Sequence, residues 1–232
     1  MPEPIGGARE YKYLGLITVL YVTMQLVSDV TAGKLITLFG FAVSVTVLYF
    51  PFTYIFSDIL TEVYGYGRAR AILWVVVLCS VLAGLTYQLV VALPPAPGFT
   101  ANEAYVRVFS QVPRILAGGW LAVFSGEILN DYVLAKMKIL TRGRFLWTRT
   151  IGSTVVGQFA NTLVFYVIGL YGVIPTTILV QAIVAGWLLK TGVEALMTPA
   201  TYYVVGTLKR LEGVDYYDRE TNFNPLIIQR PF

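Results

Sequence analysis

Continuous apolar runs of about twenty residues recur along this chain, and they limit its fold more than any other feature. They fall at about 13–30, 41–63, 71–93, 113–134, 150–171 and 176–208. At about 1.5 Å of rise per residue, a helix of that length crosses the roughly 30 Å hydrocarbon core of a bilayer. Only 13% of the residues are charged and 56% are hydrophobic, whereas a soluble domain carries about 25% charged residues. No water-soluble core hides that much apolar sequence. The strands of a membrane barrel would alternate apolar and polar, and these runs do not. The expected class is therefore an all-α integral membrane protein with six transmembrane helices.

The run at 13–30 lacks a small-residue cleavage site and is interrupted by Gln25, Ser28 and Asp29, so it reads as a first helix rather than a signal peptide. The second helix is expected at 41–63, after a short apolar linker at 35–40. Pro94, Pro95 and Pro97 end the third. Between the third and fourth, residues 100–111 suggest a short interfacial helix, with Ala104, Tyr105, Val108 and Phe109 on one face. The sixth run is too long for one uninterrupted span, and Gly192 and Pro199 lie inside it, so a kink or break near 190–199 is expected. The domain reading is a tail at 1–12, a transmembrane domain at 13–208 and a second tail at 209–232.

Six spans put both termini on one side. With the termini cytoplasmic, thirteen Lys and Arg fall in the tails and in the loops after the second and fourth helices. Lys34, Arg107 and Arg114 fall outside, and Lys190 lies within the sixth helix. That asymmetry sets an N-in, C-in orientation. The basic loop with Lys136, Lys138, Arg142, Arg144 and Arg149 then reads as a topology signal, not a ligand site. The net charge of +4 reports topology as well and gives no reason to expect nucleic acid. Cys79 stands alone and the chain has no histidine, so neither a disulfide nor a transition-metal site is expected. No cofactor is indicated.

Against this apolar background the polar residues are conspicuous. Asp58 and Glu62 stand four apart, and helical spacing projects both carboxylates from one face. Glu127, Asn130 and Asp131 mark the fourth helix, Gln158, Asn161 and Thr162 the fifth, and Lys190 and Glu194 the sixth. A charged group at mid-bilayer costs about 2.5–3.5 kcal/mol on insertion scales. Each set has a bland reading. Glu62 sits near a membrane edge; Lys190 and Glu194 form an i,i+4 ion pair; Gln158 and Asn161 are interhelical glue; Gly118, Gly119, Gly152 and Ser153 mark close packing. Six acidic residues on such stripes exceed what packing needs, and a polar pocket between helices becomes the working expectation. Carboxylates and amides among aromatic faces suit a flat heterocycle with N–H donors. The second and fourth helices also share an acidic-Ile-Leu-polar-acidic pattern, Asp58 to Glu62 and Glu127 to Asp131, placed at similar depth.

The run Ser57-Asp58-Ile59-Leu60-Thr61-Glu62-Val63-Tyr64-Gly65-Tyr66 resembles the queuosine precursor transporters, also called the vitamin uptake transporter family. Phe124-Ser125-Gly126-Glu127 with Asn130-Asp131, residues 149–154 with Gly157-Gln158, Lys190 to Glu194, 198–202 and 208–210 extend the match. The resemblance implies a secondary transporter, not an enzyme, of the cell inner membrane. It would import 7-deazaguanine bases such as 7-cyano-7-deazaguanine, 7-aminomethyl-7-deazaguanine or queuine. The family's fifth-helix motif carries Asp where this chain has Asn161. The candidate substrate-binding residues are Glu127, Asn130, Asp131, Gln158, Asn161, Lys190, Glu194, Asp58 and Glu62, with Asp58 and Glu62 pairing with Lys190 or gating the cytoplasmic mouth. Partners are the small-molecule base and membrane lipid; a homodimer suits a transporter of this size, though no residue pattern fixes it. No phosphate-binding glycine loop occurs. The alternatives are a substrate-capture subunit of a multi-component importer and an intramembrane enzyme using two carboxylates.

Overall fold

The computed structural model describes residues 11–31, 34–38, 41–110, 113–172, 175–219 and 221–226. Helices dominate: α1 Leu14–Thr31, α2 Phe50–Ile59, α3 Tyr66–Ala92, α4 Asn102–Phe109, α5 Pro113–Leu140, α6 Leu146–Leu170 and α7 Thr176–Glu212. Among the described residues, α1, α3, and the segments Leu146–Ile168 and Leu179–Glu212 are long and apolar enough to cross a membrane. The 28-residue α5 matches them in length but carries the polar set Glu127, Asn130, Asp131. The short helix expected at 100–111 is present as α4, with Glu103 and Arg107 paired on its exposed side.

The second predicted helix is built differently. Leu35–Leu38 (β1) and Phe41–Ser44 (β2) pair antiparallel, with Leu35 opposite Ser44 and Leu38 opposite Phe41. Thus 41–44 is strand, not helix, and 35–38 is strand, not linker. Two short apolar runs separated by two residues, the second of them Gly40, suit a tight hairpin. A short run rich in Val and Ile cannot be assigned to helix or strand by period alone. A 3-10 turn at Val45–Leu48 follows, and α2 starts only at Phe50, with Pro51 in its permitted first turn.

The second helix also ends unusually. Leu60–Tyr64 forms a π-turn before Gly65 turns the chain into α3 at φ +90°. That backbone angle favours glycine. A Cβ on Gly65 would also lie 2.3 Å from the Tyr216 ring.

The last helix, α7, is continuous from Thr176 to Glu212 across Pro199, so the expected break near 190–199 is not found. Proline removes one helical hydrogen bond. Beside it, the Thr198 hydroxyl donates to the Glu194 carbonyl at 3.2 Å. The helix also passes residue 208 and stops at Gly213 in the left-handed region, φ +62°.

Beyond Gly213 the chain packs back on the bundle. The Tyr66 amide, at the start of α3, donates to both carboxylate oxygens of Asp218 at 3.1 and 3.0 Å. Arg70, fully buried, donates to the carbonyls of Asn222 and Asn224 at 2.7 and 2.5 Å. The Trp74 indole reaches the Pro225 carbonyl at 3.1 Å. At the end of α7, Glu212 accepts the Tyr13 amide at 2.8 Å and the Tyr64 hydroxyl at 2.9 Å. The apolar core lies on the same side, built from Leu14, Ile17 and Tyr21 of α1, Ile59, Leu60 and Val63, Ile72 and Val76 of α3, and Val205 and Leu208 of α7.

Candidate functional site

The site begins with two glycines. A Cβ on Gly126 of α5 would lie 2.7 Å from the Asn161 Cβ and 2.9 Å from the Gly157 carbonyl oxygen; one on Gly157 of α6 would lie 2.8 Å from the Asn130 Cβ. The two helix backbones therefore touch where neither residue has a side chain. Glu127 and Asn130 of α5 are thereby set beside Gln158 and Asn161 of α6. The glycines singled out by composition play a smaller part: Gly119 meets nothing within 4 Å, and Gly152 meets only the Met137 side chain.

The α2 helix supplies the third side. The Asn130 amide donates to Asp58 at 2.7 Å. Ser57 and Thr61 hydroxyls both donate to Asp131 at 2.8 Å. The two similar stretches of the second and fourth predicted helices thus lie against each other, joined by side-chain hydrogen bonds. From α7, Glu194 accepts the Thr154 hydroxyl at 2.5 Å, and the Lys190 ammonium donates to Asn161 at 3.0 Å. Lys190 therefore serves α6, not Asp58 or Glu62. Asp58, Glu127, Asn130, Asp131, Gln158, Asn161 and Glu194 are all buried, none more than 4% exposed.

Several members have polar atoms with no hydrogen-bond partner. These include both oxygens of Glu127, both polar atoms of Gln158, Asn130 Oδ1, Asp131 Oδ2 and Glu194 Oε2. Tyr21 of α1 also points its unpartnered hydroxyl into this group, beside Glu127 and Asp131. Leaving such a group buried and unpaired costs about 1–3 kcal/mol each. In native proteins unpaired buried groups are few, and a cluster of them asks for a functional explanation.

Glu62 belongs to a separate layer. Its Oε1 lies 2.8 Å from Arg149, 2.5 Å from Lys209 and 3.4 Å from Lys138. Lys138 and Lys209 also hold Asp215 at 2.7 and 2.8 Å. Lys138 further donates to the carbonyls of Glu62 and Tyr216, both at 2.6 Å. Asp58 and Glu62 both lie against α5, one turn apart along their own helix, Asp58 at Asn130 and Glu62 at Lys138, and Glu62 also reaches Arg149 of α6 and Lys209 of α7. Glu62 therefore meets buried cations rather than water, in the layer next to Asp58.

Lys138 and Arg149, read from sequence as a topology signal, are 2% and 1% exposed. Their charges serve this network. The usable signal was local: Arg149 opens the stretch 149–154 and Lys209 lies within 208–210, both of which carry the family resemblance. The polar residues of α1 form a third place. Gln25 donates to Asp29 at 2.8 Å, and Asp29 borders a cavity of about 10 Å³ with Ser80, Gly84, Tyr87, Phe109 and Trp120.

Asp215 lies beyond the helices and is half exposed. Partial burial pushes its carboxyl up, but hydrogen bonds and charge from Lys138 and Lys209 outweigh this and hold it below the ordinary carboxylate range. A group depressed in the folded state stabilises fully above its unfolded value, about 3.9, and loses that contribution as pH falls through the lower folded value. Acid unfolding of the purified protein should therefore steepen below about pH 4, and D215N should flatten that limb. Equal limbs would show that Asp215 contributes nothing.

Comparison with known proteins decides the kinship of this arrangement. The profile of a family described as "Putative vitamin uptake transporter" matches residues 44–204. The chain belongs to the vitamin uptake transporter family. It is 28% identical over 172 residues to a Bacillus subtilis protein named "Probable queuosine precursor transporter", covering 73% of this chain and 74% of that one. It is 23% identical over 163 residues to the Escherichia coli "Queuosine precursor transporter", covering 70% and 71%. No solved structure matches it. Like others of the vitamin uptake transporter family, it is a multi-pass membrane transporter and not an enzyme. The matched span contains every candidate residue from Asp58 to Glu194 and excludes Lys209 and Asp215.

Proposed function

We propose that this chain is a secondary transporter importing queuosine precursors across the cell inner membrane, 7-deazaguanine bases among them. One observation carries the reading. Carboxylates and amides from α2, α5, α6 and α7 meet inside a transporter of the family that the named relatives share, with acceptor atoms still open. A planar base offers N–H groups on its edge, and a carboxylate can take two adjacent ones.

In this reading Glu194 takes the N–H edge of the base, with Glu127 standing beside it. Gln158 and Asn161 read its carbonyl side, with Lys190 holding the Asn161 amide in place. Asp58, Asn130 and Asp131 form the wall that α2 and α5 share, and Glu62 closes the cytoplasmic end. The six-span, N-in and C-in arrangement fits this, with 13–208 as the transmembrane domain between tails at 1–12 and 209–232. The second crossing then consists of the β1–β2 hairpin and α2. Backbone outside a helix is tolerated at that depth where protein covers it.

The direct test is uptake. Cells lacking their own importer and expressing this chain should accumulate labelled 7-deazaguanine base well above cells with empty vector. Accumulation equal to the empty vector, with the protein present in the membrane, would end this reading.

A further inference from the structure

The open atoms of the site are not balanced between donors and acceptors. Six are oxygens that accept, the four carboxyl oxygens among them only while they carry no proton: Glu127 Oε1 and Oε2, Asp131 Oδ2, Glu194 Oε2, Asn130 Oδ1 and Gln158 Oε1. Against them stands one nitrogen that can only donate, Gln158 Nε2. The hydroxyls of Tyr21 and Thr162 can serve either way. Charge is skewed in the same direction. Asp58, Glu127, Asp131 and Glu194 bring four carboxylates, and Lys190 brings one ammonium, already turned to Asn161. Lys138, Arg149 and Lys209, buried or half-buried, are spent on Glu62 and Asp215, and Arg70 is turned to the carbonyls of Asn222 and Asn224.

Glu127 is the extreme case. It is fully buried on α5, with the Ser57 and Tyr21 hydroxyls as its nearest donors and neither of its oxygens in a well-formed hydrogen bond. A neutral base edge would satisfy some of these oxygens. It would leave the excess charge where it is. A substrate that also carries an ammonium would answer both needs, because a charge-assisted hydrogen bond is about twice as strong as a neutral one.

We propose that this site selects substrates bearing a positively charged exocyclic amine over neutral ones of the same ring and size, with Glu127 as the residue that recognises the amine. The proposal rests on the reading that the site takes a 7-deazaguanine base. The amine arm would end against Glu127 while the ring edge meets Glu194 and Gln158. Protons shared among the carboxylates would meet the same need without an amine. In that case no preference would arise, and the two cases separate experimentally.

The test is binding to the purified full chain in detergent, followed by competition in proteoliposomes. The probes are 7-aminomethyl-7-deazaguanine, protonated at neutral pH, and 7-cyano-7-deazaguanine, which is neutral. The amine should bind at least about tenfold more tightly, the effect of one charge-assisted contact. E127Q should lower the amine's affinity at least several-fold more than the nitrile's and so erase most of the difference. Equal affinities, or a tighter nitrile, would overturn the proposal while leaving base transport intact. So would an E127Q variant that weakens both ligands alike and keeps the ratio. Binding of neither base by a folded wild-type protein would instead sink the transport reading on which the proposal stands.

Discussion

E62Q should destabilise the protein by about 3–5 kcal/mol, the usual cost of removing one member of a buried ion cluster. Glutamine preserves the volume and an acceptor oxygen but not the charge. Arg149, 1% exposed, would then lose its carboxylate partner among the described residues, and Lys138 and Lys209 would keep only Asp215. The loss is expected as a lower midpoint of thermal unfolding in detergent. D215N, at a half-exposed position, should lose much less, since solvent screens it. The double variant E62Q/R149M should recover part of the E62Q loss, because the stranded guanidinium goes with its partner. An E62Q midpoint matching wild type would mean that the cations of this layer are satisfied by other groups. A recovery of zero in the double variant would mean that Arg149 is not the stranded charge.

The second large effect is expected at Gly157. G157A would place a methyl 2.8 Å from the Asn130 Cβ and 2.9 Å from the Gly126 carbonyl oxygen. A backbone oxygen cannot step aside as a flexible side chain can, so α5 and α6 must separate. Overpacking of this kind costs about 1–3 kcal/mol. The functional cost should be larger than the stability cost. Separation moves Asn130 from Asp58, and it pulls Gln158 and Asn161 away from Glu127. Uptake of base should fall more than tenfold, while the protein still reaches the membrane. G119A is the matched control on α5: its Cβ would meet nothing within 4 Å, and uptake should be unchanged. Full activity in G157A would show that the α5–α6 contact does not set the site.

The polar stripes were legible from sequence because membrane helices can hide few such residues. Asp58, Glu127, Asn130, Asp131, Gln158, Asn161 and Glu194 stand out against apolar neighbours, and the fold gathers them. What escaped was whatever depends on one residue of register or on tertiary partners. The hairpin at 35–44 was hidden in apolar sequence that suits strand and helix equally. The π-turn at Leu60–Tyr64 has no periodicity signal, and the cations around Glu62 come from three other helices. Lys138, Arg149 and Lys209 looked like loop charges because their carboxylate partner comes from a distant helix. Gly126 and Gly157 lie in stretches that carry the family resemblance, but nothing local marks them as the contact between α5 and α6. Pro199 shows the opposite case: of the kink or break expected there, the break is absent and the helix runs on through the proline.

The joint at the beginning of α3 has a bearing on how the protein is made. Tyr66 and Arg70 are completed by groups about 150 positions later, at Asp218, Asn222 and Asn224. During synthesis those later residues do not yet exist when α3 enters the membrane. The guanidinium of Arg70 gains these two carbonyls only after residues 222–224 have been made. The joint that seats α3 therefore closes late, by a contact between distant parts of the chain.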